Sequence, residues 1–248
     1  MNRVLEHIEQ KKRELARLPL FAFVQDRGIE PRERLGFAPC LAPMTMGFAD
    51  LMVFGLRDAS SRDRLQQLLN AHTSVDDRHW EFFMRDLETL ELNGSLAVVG
   101  SLKLLWGQHC AKTRQLIYKL MALVHAASPI MRLVILEIVE AAADVAFSRF
   151  RQVGREFTEQ TGKPLFYFGA PHQDMEDEHE AMGEHGIRAM ISSYAWAPAE
   201  EEHALALVDE VSASFAEMGA DLLAYALKAR EAGPLWPLVP ARAAATGT

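Results

Sequence analysis

Cysteine is scarce in this chain. Cys40 and Cys110 are the only two in 248 residues, and neither sits in a CxxC pair. Isolated cysteines among apolar neighbours read as reduced, mostly buried thiols, with a nucleophilic role as the residual alternative. Basic charge is also short: 26 Lys and Arg stand against 34 Asp and Glu, giving a net charge of −8. No long basic run offers a surface that could track phosphates, which excludes nucleic acid as the expected partner. Long apolar runs are missing too. Gly94 to Trp106 and Met131 to Val139 are too short or too interrupted by charge to span a bilayer. Met1 to Leu18 alternates charged and apolar residues without the apolar centre of a signal peptide. The expectation is a cytoplasmic protein that needs no membrane.

Strand signals are nearly absent as well. β-branched alternation is rare, while Leu, Ala, Glu, Arg and Met recur at three- and four-residue spacing. The expected fold class is all-α, with a helical domain over 1–232 and a C-terminal tail over 233–248. The periodicity predicts helices at Asn2 to Arg17, Pro31 to Leu56, Ser61 to Leu92, Ser95 to His125, Pro129 to Gln160, Pro171 to Glu184 and Pro198 to Ala232. Ser128 and Pro129 supply an N-cap and first-turn signal, and Pro198 leads Glu200, Glu201 and Glu202 into the favourable end of a helix dipole.

What the chain does have is histidine and carboxylate in a repeated pattern. On the predicted helix Ser61 to Leu92 an apolar stripe of Leu65, Leu68 and Leu69 gives way to His72, Asp76 and His79 before resuming at Phe83 and Leu87. Positions i, i+4 and i+7 of a helix fall within about 60° of one another, so on one continuous helix the three side chains point the same way. The spacing returns about a hundred residues later as His172, Glu176 and His179. Between the two lies the apolar run Leu133 to Val139, which contains Glu137 and is followed by Glu140 and Asp144. A buried carboxylate needs a neutralising partner. A metal cation would serve, and the competing reading pairs one carboxylate with Arg132, Arg149 or Arg114 and leaves the others in solvent.

Four imidazoles and three or more carboxylates on three helices form a donor set suited to a pair of iron or manganese ions. With these residues the sequence resembles the heme-oxygenase-like diiron oxidases. His172, Glu176 and His179 match that family's HxxxExxH element, Glu140 its second-helix Glu, and His79 its first-helix His. Where the family usually carries Glu, seven residues before His79, this chain has His72, with Asp76 as the nearby carboxylate.

The resemblance implies a seven-helix bundle of heme-oxygenase type holding two Fe(2+) ions per chain, with manganese as an alternative occupant in vitro. Its ligands would be His72, Asp76, His79, Glu140, His172, Glu176 and His179. The implied activity is oxidation of a small organic substrate by dioxygen, through N-oxygenation, oxidative cleavage or desaturation, in settings that include natural-product biosynthesis. Dioxygen and an electron donor would be partners, and a homodimer is compatible with this reading. Two other readings stand beside it. One is a metal-free enzyme of the same fold, of the thiaminase or PQQ-synthesis type, which would use Cys40 or Cys110. The other is a non-catalytic metal-binding protein. His109, His125, His185 and His203 fall outside the ligand pattern, and Tyr194 and Trp196 read as packing residues.

Between His172 and Glu184 lie Asp174, Glu176, Asp177, Glu178, Glu180 and Glu184, with no Lys or Arg to offset them. Like charges at helical spacing repel, and Gly169, Pro171, Gly183 and Gly186 weaken both ends. A cation held there would couple binding to local folding. Amide hydrogens over 169–186 are therefore expected to exchange rapidly in the metal-free protein and to become protected on anaerobic addition of ferrous iron. Equal protection in both states, at confirmed occupancy, is the contrary outcome.

Overall fold

The computed structural model describes residues 2–76, 78–92, 98–171 and 185–233, with the backbone alone for Val75, Asp76 and His185. Helices account for the regular structure, and there is no strand among the described residues. In chain order they are α1 (Arg3–Leu15), α2 (Pro19–Val24), α3 (Pro31–Arg34), α4 (Ala38–Asp50), α5 (Arg64–Asp76), α6 (His79–Thr89), α7 (Val98–Trp106), α8 (Ala111–Ala126), α9 (Pro129–Thr161), α10 (His185–Ser193) and α11 (Pro198–Ala232). A π-helical turn, Leu51–Leu56, prolongs α4, and a 3-10 turn, Gln108–Cys110, precedes α8.

The two longest helices organise the rest. α9 opens with Pro129 in its first turn and stops at Gly162, whose φ of 72° is a left-handed conformation that glycine adopts without strain. α11 begins at Pro198, where Glu200 accepts a hydrogen bond from the Ala197 N–H at 3.3 Å. α9 packs against α1, α2, α5, α8, α10 and α11, and α11 in turn packs against α1, α2 and α8. One continuous apolar core runs through the bundle, from Val4 on α1 to Ala226 on α11.

Close helix contact requires the absence of a side chain at Gly47 on α4, where a Cβ would lie 2.6 Å from Ile117 of α8. At Gly154 on α9 a Cβ would lie 2.2 Å from the Phe168 carbonyl oxygen. That second contact lets the segment after Gly162 lie flat along α9. Asp86 of α6 holds the same segment in place by accepting the N–H groups of Phe166 and Phe168 at 2.6 and 2.8 Å. Phe83, Phe150, Tyr167 and Phe168 then interlock edge to face, with ring centres 5.1 to 6.1 Å apart.

Several predicted helices are interrupted. Pro31 to Leu56 breaks at Leu35–Phe37 around Gly36, and Ser95 to His125 breaks at Gly107, whose ψ of 178° is extended. Arg114 of α8 gathers the carbonyls of Leu105, Trp106 and Gly107 and so closes the end of α7. Ser61 to Leu92 divides after Asp76, and Arg78 (φ −119°, ψ 4°) leads into α6. The run Thr73-Ser74-Val75-Asp76-Asp77 is poor in helix formers, and two acids at a helix C-terminus oppose the dipole of α5 while favouring the start of α6. α2 and α10 were not anticipated from the periodicity. The predicted helix Pro171 to Glu184 lies outside the described residues from His172 onward.

Ala38–Leu56, nineteen residues with a mean hydropathy of 1.4, is long and apolar enough to cross a membrane by length and composition. It packs on α6 and α8 and buries Cys40, Leu41, Met44, Leu51, Met52 and Leu56, which makes it a core helix of the bundle.

Asp86 is fully buried, and burial pushes its carboxyl up to about 6 against the pull of the backbone N–H groups. Asp86→Ala strands the buried Phe168 donor and the half-buried Phe166 donor, and the expected loss is about 1–3 kcal/mol of unfolding free energy in chemical denaturation. An unchanged midpoint would show that the segment does not depend on this anchor.

Candidate metal site and substrate cavity

The break after Asp76 alters the first triplet. His72 sits on the last turns of α5 and His79 on the first turn of α6, so the two do not share one helix face. This corrects the expectation of a single continuous ligand helix. The bundle still directs both towards α9. His72 Nε2 lies 3.2 Å from Glu140 Oε1, with both side chains largely but not fully buried. His79, 7% exposed, and Glu140 contribute to the wall of one cavity of about 130 Å³. Three of the seven expected ligands, one from each of α5, α6 and α9, thus face a common region. The side chain of Asp76 and all of His172, Glu176 and His179 lie outside the described residues. Among the described residues, no three His, Cys, Asp or Glu side chains are gathered tightly enough to hold an ion by themselves.

Both ends of the segment 172–184 are tied to the helices that carry His72 and His79. Upstream, Phe166 stacks on Phe82 at 6.3 Å, and Phe82 lies 6.4 Å from the His79 ring. The Arg85 guanidinium lies over the Phe166 ring at 3.5 Å. Downstream, α10 starts against α5, where a Cβ on Gly186 would lie 3.1 Å from Leu68 Cδ1, one turn before His72.

The other carboxylates of α9 have partners that the sequence did not reveal. Glu137, 2% exposed, takes a hydrogen bond from Arg188 of α10 at 2.5 Å, and Arg188 also reaches Glu9 of α1 at 2.8 Å. Asp144 pairs with Lys12 at 2.6 Å near the surface. Neither is therefore placed as a ligand. Arg132 binds the Val124 carbonyl and Gln66, Arg149 bonds Ser148, and Arg114 is committed to α7, so Glu137 and Asp144 find partners other than the three arginines weighed for one of these carboxylates.

The cavity itself is apolar over most of its surface. Leu18 and Leu20 beside and on α2, Leu41 and Met44 on α4, Phe215 and Leu222 on α11 line it. Besides His79 and Glu140, its polar groups include Thr45 and Tyr167, whose hydroxyl oxygens lie 3.2 Å apart. This hydroxyl pair was not recognised in the sequence, because Thr45 lies within an otherwise apolar helix and Tyr167 in a loop. Tyr194 and Trp196 pack on each other at 4.8 Å away from the cavity, with the Trp196 indole N–H bonded to the Ile191 carbonyl. His7 is engaged by Asp209 at 2.9 Å.

The structure of a domain of unknown function with a heme oxygenase-like fold, from Shewanella denitrificans OS217, superposes with a TM-score of 0.66 at 13% identity, covering 92% of this chain and 95% of that one. The bundle is accordingly an all-α, heme-oxygenase-like fold. No protein-family model matches the sequence, and no curated protein matches it significantly.

Burial pushes the Glu137 carboxyl up to about 7, from 4.5, despite the Arg188 guanidinium. Between these values the folded chain binds more protons at this position than the unfolded chain, so its contribution makes stability fall as pH rises from about 4.5 to about 7. Glu137→Gln is expected to remove that part of the slope in denaturation midpoints measured across the window. An identical slope in wild type and variant would count against it.

Proposed function

We propose that this chain is a non-heme diiron oxygenase or oxidase that uses dioxygen to oxidise a small, largely apolar organic substrate. The observation that carries the reading is the 3.2 Å contact of His72 with Glu140, behind a wall that Glu140 shares with His79 in an otherwise apolar cavity. The helices bearing both histidines also anchor the two ends of the segment containing HxxxExxH.

The donors fit iron. An imidazole nitrogen 3.2 Å from a carboxylate oxygen, both largely buried, is an N,O pair of the kind that binds a divalent transition metal. His72, His79 and Glu140, with Asp76, His172, Glu176 and His179, would hold the ions. Bound ferrous iron would supply the reducing electrons and open positions at which dioxygen reacts.

The remaining work belongs to the protein. Leu41, Met44, Phe215 and Leu222 exclude water and favour an apolar substrate body. The Thr45 and Tyr167 hydroxyls can donate to or accept from one polar group of that substrate, fixing its orientation relative to Glu140. Arg188 neutralises Glu137 one turn from Glu140, so that a second uncompensated anion does not lie beside the ligand. The metal-free alternative is less well supported, since neither Cys40 nor Cys110 contributes to the cavity wall. Natural-product oxidation remains within this proposal, as does the need for an external electron donor.

Anaerobic loading with ferrous iron, followed by removal of excess metal, is expected to leave up to two ions per chain. His79→Ala or Glu140→Ala should lose at least one ion while far-UV helicity is retained. Wild-type protein that retains no iron would sink the proposal.

A further inference from the structure

Cys40 and Cys110, distant in sequence and the only thiols in the chain, come together in the core. Cys40 lies on the first turn of α4, and Cys110 closes the 3-10 turn before α8. Both are fully buried, the two elements pack on each other, and the thiols are in hydrogen-bonding contact. Tyr225 of α11 adjoins both. It is fully buried, its hydroxyl has no hydrogen-bond partner among the described residues, and its charge state senses each thiol. The His109 ring packs edge-on against Tyr225 at 5.5 Å. No third ligand completes a metal site with the two cysteines among the described residues.

We propose that Cys40 and Cys110 form a buried dithiol that hydrogen peroxide, or another small hydroperoxide, converts into an intramolecular disulfide pinning α4 to the 3-10 turn. This inference stands apart from the metal reading and requires no iron.

The roles of the two sulfurs differ. The Cys40 hydrogen bond and the Arg114 charge favour the Cys110 thiolate, whereas the bond to Cys110 and burial hold Cys40 protonated. Burial keeps the Tyr225 phenol protonated, leaving its O–H an uncharged, unpartnered donor that a small movement would bring to the thiolate. The Cys110 thiolate attacks one peroxide oxygen, forming an S–O bond and breaking the O–O bond. The departing hydroxide takes a proton and leaves as water. Cys40, giving up its proton, then attacks the Cys110 sulfur. The S–S bond forms, the S–O bond breaks, and the second oxygen leaves as water. The thiols together lose two electrons and two protons, and the peroxide is reduced to two waters.

Access comes from the cavity side. Leu41 and Met44, the next residue and the next turn after Cys40, line the cavity, as does Leu222 one turn before Tyr225. A small neutral oxidant in the cavity therefore approaches the thiols along α4 and α11. The crosslink would close a loop that contains α5 and α6, and with them His72 and His79. Joining distant positions restricts the unfolded chain.

The test uses the full-length, fully reduced protein without added metal. After exposure to hydrogen peroxide it is unfolded in an alkylating reagent and digested. The expected result is a monomer two hydrogen masses lighter, both cysteines protected in one linked peptide pair, and reversal by dithiothreitol. Its melting temperature should rise by roughly 5–15 °C. Cys40→Ser should trap a sulfenic acid on Cys110, and Tyr225→Phe should slow disulfide formation several-fold without changing its product. The proposal is overturned if both thiols stay alkylatable under peroxide that oxidises glutathione in the same solution. Sulfinic acid without a crosslink, or a crosslink between chains, also overturns it. An unchanged rate in Tyr225→Phe overturns the part given to the phenol.

Discussion

Carboxylates placed inside the most apolar helix of the bundle are the constraint on which much of this structure turns. α9 buries Leu133, Val134, Ile135, Leu136, Ile138 and Val139 almost completely, yet Glu137 and Glu140 occupy the same stretch. Ionised groups taken out of water there cost several kcal/mol each unless matched. Glu137 is matched by Arg188, which draws α10 onto α9 and, through Glu9, onto α1. Glu140 faces His72 of α5 and the cavity shared with His79 of α6. Three helices, α10, α1 and α5, thus take their places around α9 partly because two acids on it need company.

The helical class and the long elements were legible because they rest on local signals. Ser128, Pro129 and Gly162 delimit α9, and Pro198 with Glu200 starts α11. The likeness to a heme-oxygenase fold agrees with that reading. What could not be read was long-range. Arg188 lies 51 positions from Glu137 and belongs to a helix that the periodicity did not predict. Thr45 and Tyr167 are 122 positions apart, and nothing in either local context marks them as a pair. The division between α5 and α6 was in principle visible in Thr73-Ser74-Val75-Asp76-Asp77. An apolar stripe that continued in phase on both sides concealed it.

Fold and chemistry separate cleanly here. A bundle of this type is reached at 13% identity, so its packing tolerates almost complete replacement of side chains. Whatever chemistry the proposal assigns must therefore rest on few positions. His79 and Glu140, with Thr45 and Tyr167, give the cavity its polar groups, and leucines, methionines and phenylalanines make up much of the rest of its wall.

The junction between α5 and α6 changes how such a site can vary over evolutionary time. Within one unbroken helix, inserting or deleting a residue between two ligands turns everything beyond it by about 100° and removes one of them from the site. At a junction, a non-helical residue such as Arg78 can absorb the change locally. Each histidine is then registered by its own helix's packing: His72 by the neighbours of α5 and His79 by those of α6. Relatives of this protein could carry the pair at other separations, or exchange one of the two histidines for another side chain, without rebuilding the bundle. A search based on fixed residue spacing would pass over them, whereas one based on which helix ends meet would not.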